Sequence, residues 1–136
     1  MTRILIVEDD VEQARGMARV FSKLRPDFSI AVAHNGVEAT RLMTEKPVDL
    51  VLTDLQMPEM DGFALLAWMH NTYPDVPVFT MSGVGNSETA TRTGELGATE
   101  YFPNPPDGSA VLLKLSETLT QWVPDRMQNV TSGSIL

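Results

Sequence analysis

Short apolar runs alternate with amphipathic stretches along most of the chain. Ile4 to Val7 is unbroken, and Ile30 to Ala33, Leu50 to Leu52 and Val76 to Met81 repeat the pattern. Tyr101-Phe102, after Gly97-Ala98, is a weaker fifth run. Runs that are apolar on both faces read as strands of a parallel sheet covered on both sides. Between them, Ala14, Met17, Ala18, Phe21 and Leu24 follow helical spacing, with Glu12, Gln13, Arg15, Arg19 and Lys23 on the other faces. Ala39, Leu42 and Met43 mark a second helix. Phe63, Leu66 and Met69 mark a third, beginning after Gly62. Val111, Leu112, Leu115, Leu119 and Trp122 mark the last, with Asp107 or Ser109 as its N-cap. The segment from Asn86 to Leu96 is the poorest helix, because Thr89, Thr91, Thr93 and Gly94 are weak helix formers. It is expected to be helical but mobile.

Five strand–helix units in strict alternation predict an α/β doubly wound fold. Its sheet is parallel and five-stranded, with helices on both faces and right-handed crossovers. A length of 136 residues fits one domain. We expect that domain over residues 1–123, and a polar tail or linker stub over 124–136, where the pattern turns irregular after Pro124. The chain has no cysteine, which excludes disulfides, thiolate catalysis and cysteine-ligated metals. His34 and His70 are too few and too scattered for a histidine metal site. The net charge of −8 and the lack of a basic patch argue against direct nucleic-acid binding. No apolar run is long enough to span a bilayer, and a cytoplasmic location is expected.

In such sheets ligands bind outside the carboxyl ends of the strands. Glu8, Asp9 and Asp10 follow the first run, and Thr53-Asp54 follows the third. Ser82-Gly83 follows the fourth, and Pro103-Asn104-Pro105 the fifth. Several carboxylates would therefore meet at one sheet edge, where they raise each other's pKa. A divalent cation with oxygen ligands relieves that repulsion, and Mg²⁺ suits carboxylates plus a phosphoryl group. A lone Asp after a strand is more often a turn former or a helix cap. Two acidic strand ends in one alternating chain weaken that plainer reading, although Asp10 itself reads as the cap of the first helix.

These residues carry a resemblance. The blocks are Ile4-Leu5-Ile6-Val7-Glu8-Asp9-Asp10, His34-Asn35-Gly36-Val37-Glu38-Ala39, Asp49 through Gly62 with its Asp54-Leu55-Gln56-Met57-Pro58-Glu59-Met60-Asp61-Gly62 element, Pro77 through Gly83, and Gly97 through Phe102. Together they resemble the response-regulator receiver domain of two-component signalling, from Ile4 to about Trp122. The resemblance implies a CheY-like, flavodoxin-like (βα)5 fold with sheet order 2-1-3-4-5. It implies Asp54 as phosphoacceptor, and Glu8, Asp9, Asp54 and the backbone carbonyl of Gln56 as protein ligands to Mg²⁺. Ser82 would hydrogen-bond the phosphoryl group, and Tyr101 would be the aromatic switch that turns inward in the active state. The implied phosphoryl source is a histidine kinase or phosphotransfer protein. The implied output surface is the fourth helix, fifth strand and fifth helix, through which a homodimer could also form. A carboxylate can attack a phosphoryl donor to give an acyl phosphate while a metal neutralises developing charge, so the roles are chemically coherent.

One departure matters. The family has Lys before Pro after the fifth strand, and here Asn104 stands there. Glu8, Asp9 and Asp54 sum to about −3, Mg²⁺ brings this to about −1, and phosphorylation to about −2. A Lys would have restored about −1. A charge pair near 4 Å is worth roughly 4 kcal/mol before desolvation at an effective dielectric of about 20. Neither Lys114 nor Arg92 is an evident replacement. The expectation is that Mg²⁺ binding survives, that phosphorylation is slower or its signal weaker, and that Asn104-Pro105 is cis as in the family. A second reading is a pseudo-receiver, an interaction module that acts without phosphorylation. A third, an aspartate-nucleophile phosphatase, needs an Asp two residues after the nucleophile. Gln56 occupies that position, so this reading ranks last.

Overall fold

The protein is described by a computed structural model covering residues 2–57, 61–83, 87–104 and 106–121. The elements run β1 (Thr2–Val7), α1 (Val11–Leu24), β2 (Phe28–Ala33), α2 (Gly36–Glu45), β3 (Leu50–Asp54), α3 (Gly62–Thr72), β4 (Val78–Ser82), α4 (Ser87–Glu95), β5 (Glu100–Pro103) and α5 (Gly108–Gln121). All four strand pairings are parallel, in the order β2-β1-β3-β4-β5. This is the flavodoxin-like (βα)5 arrangement expected from the sequence.

Period-two alternation sorts the central strands into two cores. Ile4, Ile6, Leu50, Leu52, Phe79 and Met81 face Met17 and Phe21 of α1 and Val111 and Leu115 of α5. Leu5, Val7, Val51 and Val78 face the other way, against Ala39 and Met43 of α2 and Leu65, Leu66 and Met69 of α3. Each fully buried aliphatic or aromatic side chain contributes about 1.5–3 kcal/mol of transfer free energy. The double coverage explains why β1 and β3 read as continuous apolar runs.

Most strands extend beyond their apolar runs, and two boundaries, in β3 and β4, have a clear backbone reason. β3 continues past Leu52 through the buried polar pair Thr53 and Asp54. Ladder partners Val7↔Thr53 and Asp54↔Met81 hold it, and the Thr53 hydroxyl donates to the Asp54 carbonyl at 2.9 Å. β4 starts at Val78 and not at Val76. The Val76 N–H closes the turn after α3 on the Tyr73 carbonyl, and Pro77 has no N–H to give.

Helix starts are set by side chains. The carboxylates of Asp10 and Asp61 and the carboxamide oxygen of Asn35 accept from Gln13, Ala64 and Glu38 backbone N–H groups respectively. For α5 the cap is Asp107, whose Oδ1 accepts from the N–H groups of Ser109 and Ala110. The expectations for Trp122, for the tail at 124–136 and for the bond to Pro105 lie outside the described residues.

Candidate functional site

Because the sheet is parallel, the carboxyl ends of β1, β3, β4 and β5 share one edge. The ladder runs one residue beyond three of those ends. The N–H groups of Glu8, Leu55 and Asn104 donate to the carbonyls of Ala33, Met81 and Ser82 at 3.0, 2.9 and 3.0 Å. These bonds fix where the polar side chains at the edge begin.

Glu8, Asp9 and Asp54 each bring one carboxylate oxygen into a cluster whose atoms lie within 4.8 Å of one another. Glu8 is 2% exposed and Asp54 5%, whereas Asp9 is open to solvent. Burial pushes the Glu8 carboxyl up to about 7, helped by the nearby Asp54 charge and opposed by the Asp10 N–H that donates to Glu8 Oε1 at 3.1 Å. Burial also raises Asp54, against the Gln56 N–H that donates to Asp54 Oδ1 at 3.2 Å. Acceptor-only oxygens packed this tightly hold a proton or a cation between them. A hard divalent cation such as Mg²⁺ fits a donor set made only of oxygen.

The other candidates take distinct places. Ser82 is buried at the end of β4, and its hydroxyl donates to the Gln56 carboxamide oxygen at 3.1 Å. Asn104 donates from Nδ2 to Glu8 Oε2 at 3.4 Å. Its Oδ1 accepts from Gln13 Nε2 of α1. Tyr101 lies half-buried on β5, opposite Thr80. Lys114 pairs with Glu100 at 3.3 Å and Glu117 at 3.7 Å, at the other end of β5. Arg92 lies 3.9 Å over the Phe63 ring. Among the described residues, no Lys or Arg forms an ion pair with the cluster.

Two features escaped sequence reasoning. Gln13 read only as a polar position on α1, since nothing local shows that the first turn after Asp10 faces a loop ninety-one positions away. Gly62 read only as the residue before the third helix. A Cβ there would lie 2.3 Å from the Asp54 carbonyl oxygen and 2.5 Å from Leu55 Cα, so the start of α3 presses against the backbone that carries Asp54. The Asp-Gly at the end of the long motif is therefore a cap followed by a close approach.

The model of the response regulator receiver domain matches residues 4–116. A transcriptional regulatory protein ZraR of Klebsiella oxytoca is 34% identical over 116 residues, covering 85% of this chain and 26% of that protein. An NtrX-like response regulator of Rickettsia bellii is 35% identical over 121 residues, covering 86% of this chain and 25% of that protein. The chain thus spans about a quarter of the length of these curated relatives. Among solved structures, the receiver domain of a DNA-binding response regulator (merR) from Colwellia psychrerythraea superposes with a TM-score of 0.82 at 28% identity, covering 88% of this chain and 99% of that one. A CheY-like receiver domain from Methanospirillum hungatei gives 0.83 at 24% identity, covering 90% and 96%, a likeness of fold.

The chain belongs to the response regulator receiver domain family. Its place is in two-component phosphorelay signalling, and these likenesses do not favour the pseudo-receiver reading.

Proposed function

We propose that the domain accepts a phosphoryl group on Asp54 and uses it to switch a partner-binding surface. The observation that carries this is the convergence of Glu8, Asp9 and Asp54 on one point at the strand ends, with Asp54 buried and held by the Gln56 N–H. Glu8, Asp9, Asp54 and the Gln56 carbonyl would hold Mg²⁺, which when bound supplies charge neutralisation and orients the phosphoryl donor.

The chain's own part is nucleophilic. An Asp54 oxygen forms a bond to phosphorus while the donor's bond to phosphorus breaks, and the leaving group keeps the electron pair. Ser82 gives up Gln56 and donates its hydroxyl to a phosphoryl oxygen, and Asn104 donates an amide N–H to the same group. Tyr101 then turns inward and reshapes the face formed by α4, β5 and α5, which engages an output partner or a second copy of the domain. The phosphoryl donor in the cell is a histidine kinase or phosphotransfer protein, and the site of action is the cytoplasm. Hydrolysis of the acyl phosphate ends the signal, so the domain is a phosphoacceptor and not an enzyme with a separate substrate.

Without a lysine at position 104 the phosphoryl charge is poorly compensated. Phosphorylation by acetyl phosphate is expected to be slow and to quicken about tenfold in Asn104→Lys, which corresponds to about 1.4 kcal/mol. Intact-mass analysis with acetyl phosphate and Mg²⁺ tests the reading. One phosphoryl adduct that disappears in Asp54→Asn is expected. No adduct on the wild-type protein would overturn it.

A further inference from the structure

We propose that Gln13 is a positioning residue. With Asn104 it forms a two-amide relay that stands in for the missing lysine. The two side chains meet across the gap between the first turn of α1 and the loop after β5. Both are half-buried, and both backbones are anchored. The Gln13 N–H donates to Asp10 Oδ1 at 3.1 Å, and the Asn104 N–H donates to the Ser82 carbonyl at 3.0 Å.

An ammonium and a carboxamide differ in what they can present to the cluster. A lysine head donates in every direction it can point, so it has no wrong way round. An asparagine has an oxygen at one corner and an NH₂ at the other. Facing Glu8 and Asp54 with its oxygen, it would add to the repulsion already in the cluster. Facing them with its NH₂, it relieves that repulsion. The structure shows the second orientation, with Glu8 Oε2 accepting from the Asn104 NH₂. That orientation turns Asn104 Oδ1 toward α1, where it needs a donor. Gln13 Nε2 is that donor, and the chain of bonds then runs one way: Gln13 to Asn104 to Glu8, beside Asp54 in the same cluster. Hydrogen bonds in such a chain polarise one another, so the Asn104 N–H presents more positive charge to the cluster than an isolated amide would. Removing Gln13 leaves Oδ1 without that donor and frees the carboxamide to turn over.

The structural part of this inference stands on the hydrogen bonds alone. Its effect on rate rests on the phosphoacceptor reading. The test therefore has two arms, using wild type, Gln13→Met, Asn104→Lys and the double variant, each checked for folding by circular dichroism. In the metal-free protein, solvent exchange of the Asn104 side-chain NH₂ protons is followed by NMR, and Gln13→Met is expected to speed it at least fivefold. In the second arm, Gln13→Met slows acetyl-phosphate labelling of Asp54 about fivefold, the size of one neutral hydrogen bond. In the Asn104→Lys background the same change alters labelling less than twofold, because lysine needs no orienter. Unchanged NH₂ exchange would overturn the relay whether or not Asp54 is phosphorylated. Equal slowing in both backgrounds, or none in either, would overturn the positioning role. A wild-type protein that takes no phosphoryl group would sink the functional reading and leave the exchange arm to decide the relay.

Discussion

The half of the domain that carries the carboxylates and the half that carries the proposed output face are built differently. In β1, Ile4 to Val7 are all fully buried, as is β3 from Leu50 to Thr53. α1 begins on the Asp10 cap and buries Ala14, Met17 and Phe21. In contrast, no residue of β5 is fully buried. α4 carries three threonines and a glycine in nine residues, roughly 3 kcal/mol less helix propensity than alanine would give. α4 is held by other means. Thr93 is buried, with its hydroxyl donating to the Ala90 carbonyl at 2.9 Å, and Arg92 stacks on Phe63 of α3. Its end is closed by Gly97 at φ 100°, with the Gly97 and Ala98 N–H groups donating to the Gly94 and Thr93 carbonyls. A buried scaffold holds the carboxylates to a fixed geometry. A marginal helix beside a half-buried strand can be rearranged for little free energy, as a switch requires.

The largest test of this contrast is Gly62→Ala. The added methyl meets backbone on the strand side, where neither partner is a flexible side chain. Urea unfolding is expected to show a loss of about 3 kcal/mol. A loss under about 1 kcal/mol would mean that the start of α3 slides easily and that the scaffold is less rigid than its burial implies.

Next is pH. The folded Glu8 carboxyl sits near 7 against an ordinary 4.5, so the folded state holds a proton that the unfolded chain has released. In metal-free protein, stability therefore falls as pH rises from about 4.5 through 7, then levels off. The Glu8 share of this fall is about 3 kcal/mol. Denaturation in chelator at pH 5 and pH 8 checks it, with Glu8→Gln expected to flatten most of the slope. An equal slope in that variant would place the proton elsewhere.

The smallest effect is expected in the other half. Phe63→Leu removes the ring beneath Arg92, worth about 0.5–1 kcal/mol. Amide hydrogen exchange should quicken a few-fold in α4 alone. If α1 lost protection equally, the two halves would be one cooperative unit and the contrast would fail.

Much of this was legible in the chain. The apolar runs located all five strands, since a strand covered on both faces has no polar side to show. Asp10 lay where a helix cap belongs, whereas the cap role of Asp61 shows only in the bond it accepts from the Ala64 N–H. The acids after the first and third runs pointed to one edge, because parallel strands all end on the same side. Thr53 and Asp54 were harder to assign. They are polar yet paired within β3, and hydropathy cannot show a ladder that continues under a polar side chain. Asp107 and Ser109 competed for one cap, and only the hydrogen bonds from the N–H groups of Ser109 and Ala110 chose between them.

The sequence by itself determined the alternation of elements, the acidic strand ends and the presence of an asparagine, Asn104, after the fifth run, because each is written in residue type and local spacing. Only the tertiary structure decided what surrounds Asn104. Its partners Glu8, Gln13 and Ser82 lie ninety-six, ninety-one and twenty-two positions away along the chain. Which way a carboxamide faces depends on every donor and acceptor around it. For a residue whose neighbours come from three separate segments, only the folded sheet edge supplies them.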